Sequence, residues 1–266
     1  MTAGYHAVYA KDYFEGIDAA KVNGFDFAQF DLGVPRFFLN ELSDDQLREI
    51  RAYARDRQVG ITFHAPGDNV SLCCDYPLIR KGILGEYKLI LDKAGKLDAR
   101  HVTFHAGAYP KFRNSGEKTS DFYAGHYAQI LYENLKCLLD SSGDVLICVE
   151  NFGWDEIKRG AIQRLMDERN PLYLTLDTGK LYGGNFELIQ EDYAFFLRNK
   201  EYIREMHIHD SNGYGSHEIV GTGCVDFALM QKFYSKNVYL NFEIRPVEAA
   251  RISRERLLQI WGEHII

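Results

Sequence analysis

Six histidine or acidic residues each stand at the end of a short apolar segment of the 266-residue chain. Ionisable side chains are costly beside apolar neighbours, so their repeated placement needs a chemical reason. Successive members lie 41, 45, 27, 30 and 36 residues apart, each about the length of one strand and one helix. The six residues are His64, His105, Glu150, Asp177, His207 and Glu243.

Three carboxylates and three imidazoles that met in one small volume would repel one another or shift their pKa values, unless cations held them. One or two divalent metal ions satisfy that requirement. A mixed nitrogen and oxygen donor set suits Zn2+ or Mn2+, and the absence of cysteine from the six argues against a purely structural zinc site.

The elements that would position these residues alternate along the chain. Eight short segments rich in β-branched and aromatic residues predict strands at 5–10, 25–32, 61–64, 101–105, 145–150, 172–177, 205–209 and 238–244. Helical periodicity predicts helices at 44–57, 78–96, 121–139, 155–168, 185–200, 226–235 and 249–261. Ser43 is the expected N-cap of the first of these helices.

Alternating strands and helices with short connections require parallel strands and right-handed crossovers. Eight such units in about 250 residues favour an α/β fold, a single-domain (β/α)8 TIM barrel covering residues 1–266. An open doubly wound sheet is the alternative, but no G-x-G-x-x-G follows the first strand. In a closed barrel, all six candidate ligands would converge at the C-terminal mouth.

The overall composition limits which classes of binding partner and which location are expected for the protein. The formal charge of −7 and the absence of a run of five like charges weaken nucleic-acid binding without excluding it. No apolar run approaches the roughly 18 residues of a membrane helix, and no secretory signal is recognised, so a cytoplasmic location is expected. Five cysteines without a C-x-x-C spacing are expected to be free thiols. A homo-oligomer is compatible with the sequence.

Seven short motifs occur in a characteristic order along the strands. They are His64-Ala-Pro, His105-Ala-Gly, Val149-Glu150-Asn151, Leu176-Asp177-Thr178-Gly179, His207-Ile-His-Asp210, Gly221-Thr-Gly223 and Phe242-Glu243. With these, the chain resembles the xylose isomerase-like barrel superfamily, which includes endonuclease IV and sugar epimerases of the tagatose-epimerase type. The resemblance runs from about Gly4 to Pro246.

The resemblance implies two metal sites. Glu150, Asp177, His207 and Glu243 match the four ligands common to the epimerases and the nuclease. In the nuclease pattern, His64 and His105 add a second metal, with Glu150 as the bridge between the two ions.

Departures from the family patterns limit what is carried over. Where endonuclease IV has a histidine ligand to a third metal, this sequence has Lys180, and of an Asp-x-His pair only His217 of Gly215-Ser216-His217 remains. A protonated lysine cannot ligate a metal, so the three-metal phosphodiesterase mechanism is in doubt. Gly213 stands where the epimerases usually carry an arginine, which leaves a ketohexose substrate unproven.

Six further residues are candidates for binding the substrate: His6, Glu156, Lys180, His209, His217 and Arg245. Glu156 matches a substrate-contacting glutamate of the epimerases, although a first-turn glutamate is also favoured by the helix dipole. Lys180 has two alternative roles. Its ammonium would bind a phosphate or carboxylate of the substrate, or it would compensate the surplus negative charge of the acidic residues at the barrel mouth. His209 shares a strand face with His207.

The leading hypothesis is a metal-dependent isomerase or epimerase of a small sugar, sugar phosphate or related polyol. By resemblance, Glu150 and Glu243 lie on opposite sides of the substrate and act as the catalytic acid and base while contacting the metal. A metal-dependent phosphoesterase like endonuclease IV is the main alternative. A barrel that binds or scaffolds without chemistry is a third.

Overall fold

Eight parallel strands close into a barrel in the computed structural model, which describes residues 1–67, 70–110, 119–213 and 216–262. The barrel strands are β1 (Thr2–His6), β2 (Phe27–Asp31), β3 (Gly60–His64), β4 (His101–His105), β5 (Leu146–Glu150), β6 (Leu172–Asp177), β7 (Ile203–Ile208) and β10 (Tyr239–Phe242). Closure occurs between β1 and β10, whose register pairs Thr2 with Tyr239. The expected single-domain (β/α)8 barrel is confirmed.

Helices follow the strands and cover the outside of the barrel. They are α1 (Tyr13–Val22), α2 (Asp44–Arg57), α3 (Pro77–Lys96), α4 (Thr119–Leu139), α5 (Glu156–Asp167), α6 (Gln190–Arg198), α7 (Phe227–Met230) and α8 (Val247–Trp261). Among the described residues, no helix is both long enough and apolar enough to cross a membrane.

Helix α2 illustrates how local sequence sets the bounds of an element. The Ser43 hydroxyl accepts the Gln46 N–H at 3.3 Å, and the Gln46 side chain accepts the Ser43 N–H at 2.9 Å. This reciprocal capping box satisfies two amide groups that the first turn would otherwise leave without partners. Leu47, Ile50 and Ala54 then form the buried face. The helix spans 44–57, as the sequence predicts.

Other boundaries differ from the sequence-based prediction. The strand expected at 5–10 spans Thr2–His6 in the structure, and the apolar residues after it form a turn in which Ala7 and Ala10 are buried. Helix α1, capped by Asp12, is absent from the prediction. The helix expected at 185–200 begins only at Gln190. An antiparallel hairpin of β8 (Asp210–Ser211) and β9 (Ser216–Glu218) was also not predicted.

The barrel interior below the mouth is polar. Gln29 donates to the Glu205 carboxylate at 2.8 Å, and Thr103 donates to the same carboxylate at 2.6 Å. Asn241 donates to Gln29 at 2.6 Å. Strand β7, which carries Glu205, neighbours neither β2 nor β4, so these bonds cross the barrel axis. Barrels of this type usually fill that space with Val, Ile and Leu.

Candidate metal centre

The six strand-end residues converge at the C-terminal mouth, and all six side chains are buried. His64, His105, Glu150 and Asp177 each end their strand, His207 lies one residue before the end of β7, and Glu243 directly follows β10. Because the strands are parallel and in register, these ends come together at one rim, with His105 paired to Glu150 and Asp177 paired to His207.

Glu150 lies at the centre of the cluster. Its Oε2 atom is 3.0 Å from His64 Nε2 and 3.1 Å from His105 Nε2. The same oxygen is 3.5 Å from His207 Nδ1, while Oε1 is 2.6 Å from Lys180 Nζ. One carboxylate therefore contacts side chains from three other strands and one loop, as a bridging ligand would.

His207 Nδ1 lies between two carboxylates, 3.5 Å from Glu150 Oε2 and 3.4 Å from Glu243 Oε2. Donor atoms of His64, Glu150 and His207 lie within 4.8 Å of one another, as do those of Asp177, His207 and Glu243. The structure thus brings the four-residue set and the two additional histidines of the resemblance into one cluster.

The donor atoms fit a divalent cation. Among the described residues, His207 Nδ1 and Glu243 Oε2 are buried without a hydrogen-bond partner. A buried polar atom without a partner is costly, and coordination to a metal removes that cost. Imidazole nitrogens together with carboxylate oxygens are the donors that Zn2+ and Mn2+ accept.

Two motifs hold these ligands in place. The Asn151 side chain accepts the Asp177 N–H at 2.7 Å and donates to the Asp177 carbonyl at 3.1 Å, which joins the ends of β5 and β6. Thr178 donates its hydroxyl to the His207 carbonyl at 3.0 Å, which joins β6 to β7. A Cβ atom at Gly179 would overlap the His209 ring, so only glycine fits there.

Lys180 bridges two of the carboxylates. Its Nζ atom is 2.6 Å from both Glu150 Oε1 and Asp177 Oδ2, and its backbone N–H donates to Asp177 Oδ1 at 2.8 Å. Burial alone would lower the pKa of Lys180, but the carboxylates of Asp177, Glu150 and Glu243 raise it well above its usual value. The side chain also lines the mouth cavity. Its ammonium therefore compensates the negative charge of the Glu150 and Asp177 carboxylates in this structure.

The carboxylates stay ionised. Burial would raise the pKa of Glu150, yet Lys180 and His207 hold it well below the usual range. Glu243 behaves in the same way: burial opposes ionisation, and His207 and His6 outweigh that effect. Both residues can therefore accept a proton or ligate a cation at neutral pH.

His209 and His217 form a ring pair beside the cluster, with centroids 4.5 Å apart and planes tilted by 37°. His209 Nε2 lies 2.9 Å from Asp177 Oδ1, and its Nδ1 accepts the His217 N–H at 3.0 Å. Burial lowers the pKa of His217 to about 4, which keeps its ring neutral. His217 adopts a left-handed backbone at φ 69°, a strained conformation typical of functional loops.

Asp210 anchors the loop that follows the β8–β9 hairpin, which carries His217 on β9. Its buried carboxylate accepts five backbone N–H groups, from residues 211, 221, 222, 223 and 225, at 2.9 to 3.1 Å. The amides of Gly221, Thr222 and Gly223 are therefore satisfied internally.

A cavity of about 660 Å³ opens above the cluster. His6, Lys180, His217 and Arg245 line it, and Arg245 Nη2 lies 3.0 Å from His6 Nδ1. Glu156, by contrast, is exposed in the first turn of α5 and does not line the cavity in the described part of the chain. Gly215 of the Gly215-Ser216-His217 motif lies outside the described residues.

Sequence reasoning missed three residues of the site. Phe152 stacks on the His105 ring with centroids 4.4 Å apart and leaves 43% of its surface exposed at the cavity. Glu205 contacts His207 from inside the barrel, and Asp210 holds the loop. Strand alternation places Glu205 on the same face as His207, so that spacing was the available signal for it.

Comparison with protein-family models matches residues 17–259 to the xylose isomerase-like TIM barrel family. The chain belongs to this family. An uncharacterized protein of Methanocaldococcus jannaschii is 26% identical over 203 residues, which cover 74% of this chain and 73% of the relative.

Three solved structures illustrate the range of proteins that share the fold. A D-tagatose 3-epimerase-like protein has a TM-score of 0.78 and 18% identity, with full coverage of both chains. Endonuclease IV from Thermus thermophilus has a TM-score of 0.71 and 17% identity, covering 99% of this chain and all of the other. The IOLI protein with a binding zinc atom has a TM-score of 0.74 and 13% identity over 99% of each chain. At these identities the likeness establishes the fold.

Proposed function

We propose that the protein is a divalent-metal-dependent isomerase or epimerase of a small sugar, sugar phosphate or related polyol. The observation that carries the proposal is the pair of ionised carboxylates, Glu150 and Glu243, on either side of His207 Nδ1. Of the two, Glu243 lines the mouth cavity and Glu150 lies buried behind it. Two carboxylates beside one substrate position can move a proton to and from a carbon next to a carbonyl group.

Four residues would hold the first ion: Glu150, Asp177, His207 and Glu243. His64 and His105 would hold a second ion together with Glu150, which gives one or two ions in total. The zinc atom of the IOLI protein and the donor set support Zn2+, and Mn2+ is equally compatible with the donors. When bound, such a metal supplies Lewis-acid stabilisation of the negative charge that develops on the substrate as its proton leaves.

The remaining cavity residues would bind the substrate. His6, His217 and Arg245 line the cavity, and their imidazole and guanidinium groups are of the types that bind hydroxyl or anionic groups of a polyol. The exposed Phe152 ring offers a flat apolar surface to a sugar face. Lys180 would be available to an anionic substrate group once a metal neutralises Glu150 and Asp177. These contacts support a small carbohydrate as the partner.

The test is a substrate panel with zinc- or manganese-loaded protein. Ketoses, aldoses and their phosphates would be incubated in deuterium oxide, and both product formation and deuterium uptake at carbon would be followed. Glu150→Gln and Glu243→Gln should each lower turnover at least about a hundredfold, the usual scale of acid and base contributions. Glu248→Gln, an exposed glutamate in the first turn of α8, serves as the matched control. Wild-type turnover in either site variant would remove that residue from its role.

A metal-dependent phosphoesterase is the second candidate, because His64 and His105 both contact Glu150 Oε2 in the way the nuclease pattern requires for its second metal. Nicking of abasic DNA or hydrolysis of a model phosphoester, without sugar interconversion, would select this function. Metal-free protein whose stability does not respond to chelators, and which is inactive in both assays, would favour a non-catalytic barrel.

A further inference from the structure

Glu205 is a fully buried carboxylate inside the barrel, two residues before His207 on strand β7. Its Oε2 atom lies 3.2 Å from His207 Nε2. The other ring nitrogen, Nδ1, faces the mouth and lies 3.4 Å from Glu243 Oε2. The imidazole therefore has one nitrogen toward the barrel interior and one toward the candidate metal centre.

The Glu205 carboxylate is itself held in place. Gln29 and Thr103 donate to it at 2.8 and 2.6 Å, and His101 Nε2 lies 3.1 Å from Oε1. Gln29 is held in turn by Asn241 at 2.6 Å. Groups from barrel strands β2 and β4 and from the neighbouring β10 thus determine where the carboxylate points. Such a network has little freedom to rearrange inside a packed barrel.

A neutral imidazole carries a proton on one nitrogen and a lone pair on the other, and the partner of the protonated nitrogen decides which is which. A carboxylate accepts only, so Glu205 requires the proton on Nε2. In the neutral, metal-binding form of His207 the lone pair must then be on Nδ1, which is the buried ring nitrogen without a hydrogen-bond partner among the described residues.

We propose that Glu205 is a positioning residue for the metal centre: it accepts the Nε2–H of His207 and thereby makes Nδ1 the metal-ligating nitrogen. The inference rests on the metal site of the proposed function but not on any particular substrate or reaction. A carboxylate behind a ligating histidine raises the basicity of the ligand and fixes the ring, and losing it typically weakens metal binding about 10- to 100-fold.

The experiment compares zinc affinity, measured by competition with a chromophoric chelator, in wild type, Glu205→Gln and Gln29→Leu. Glu205→Gln removes the charge while keeping the shape, and it should weaken zinc binding about 10- to 100-fold. Gln29→Leu removes one of the donors that hold the carboxylate but leaves the Thr103, His101 and His207 contacts of Glu205, so it should weaken zinc binding less than Glu205→Gln does. A wild-type affinity in Glu205→Gln, or an equal loss in both variants, would assign the network a structural role only.

A second measurement needs no variant at the Glu205 position. In wild-type protein loaded with cadmium-113, long-range proton–nitrogen NMR of the imidazoles should show His207 coordinated through Nδ1 and protonated at Nε2, with the resonance assigned by its loss in His207→Gln. Coordination through Nε2 overturns the inference while the proposed function stands. Failure of the wild-type protein to bind either metal overturns both.

Discussion

Replacing Lys180 by methionine should destabilise the metal-free protein and tighten metal binding. The ammonium lies 2.6 Å from two buried carboxylates, Glu150 and Asp177, so the variant leaves both without their nearest cation. Removing one partner of a buried ion pair costs about 3–5 kcal/mol. The Lys180 side chain is 20% exposed and keeps some water contact, which favours the lower end, about 3 kcal/mol.

That loss should disappear when a divalent ion supplies the positive charge. For a chain of this size, about 3 kcal/mol corresponds to a fall in Tm of roughly 6–12 °C in chelator. With saturating zinc, the variant and the wild type should unfold within a few degrees of each other. Because about 1.4 kcal/mol is a factor of ten in affinity, the same difference predicts zinc binding about a hundredfold tighter in Lys180→Met.

The assay is differential scanning calorimetry with and without zinc, together with zinc titration. Lys93→Met is the matched control, because the Lys93 ammonium donates to the backbone carbonyls of Leu39, Asn40 and Leu42 at 2.8, 3.3 and 2.6 Å, away from the cluster. Its destabilisation should be the same with and without zinc. Equal destabilisation of Lys180→Met with and without zinc, or zinc affinity no higher than that of the wild type, would contradict the prediction. Either result would mean that the Lys180 ammonium does not occupy the position of a metal ion.

Three further predictions concern stability. Asp210→Ala should lose at least about 2 kcal/mol in urea denaturation, because five backbone donors lose their acceptor; an unchanged midpoint would contradict that role. Burial alone would lower the pKa of His207, but the surrounding carboxylates, Glu205 foremost, raise it from 6.5 to about 10. Between these two pH values, the folded metal-free protein holds a proton on His207 that the unfolded chain releases. The stabilisation of the folded state by protonated His207 is therefore complete below about pH 6.5. It is lost as the pH rises toward 10, by up to about 1.4 kcal/mol per pH unit. Urea midpoints across that window measure it, and a variant His207→Asn with the same slope would refute the assignment. Ser43→Ala should cost about 1 kcal/mol through loss of the capping box with Gln46, and identical melting of the two proteins would contradict it.

The strand-end residues were predictable because this fold combines a regular repeat length along the chain with a regular arrangement of strand ends in space. One strand and one helix take a roughly constant length, and parallel strands in register bring their ends to one rim. Residues such as Asp177 and His207 could therefore be placed together from spacing alone, and their registered pairing confirms that geometry. Strand β4 and helix α2 were likewise predicted to the residue, because polar residues mark the ends of the strand and Ser43 is recognisable as the N-cap of the helix.

Other features depend on distances that no local pattern encodes. Lys180 could not be assigned from sequence to the substrate or to the carboxylates, because that choice depends on where a long side chain comes to lie. Strand alternation places Glu205 on the face of His207, but its partners Gln29 and Thr103 lie across the barrel and are not encoded in any local pattern. Asp210 satisfies amides up to 15 residues away, a contact created by the β8–β9 hairpin that the prediction did not contain.

The proposed function requires that residues at the ends of six different strands hold divalent cations at the mouth of the barrel. Anomalous scattering from crystals grown with excess zinc tests it most directly. We expect strong peaks in contact with the Glu150 carboxylate, one among Asp177, His207 and Glu243 and, at a second site, one beside His64 and His105. Crystals that show the six side chains together but no anomalous peak among them at saturating zinc would contradict it.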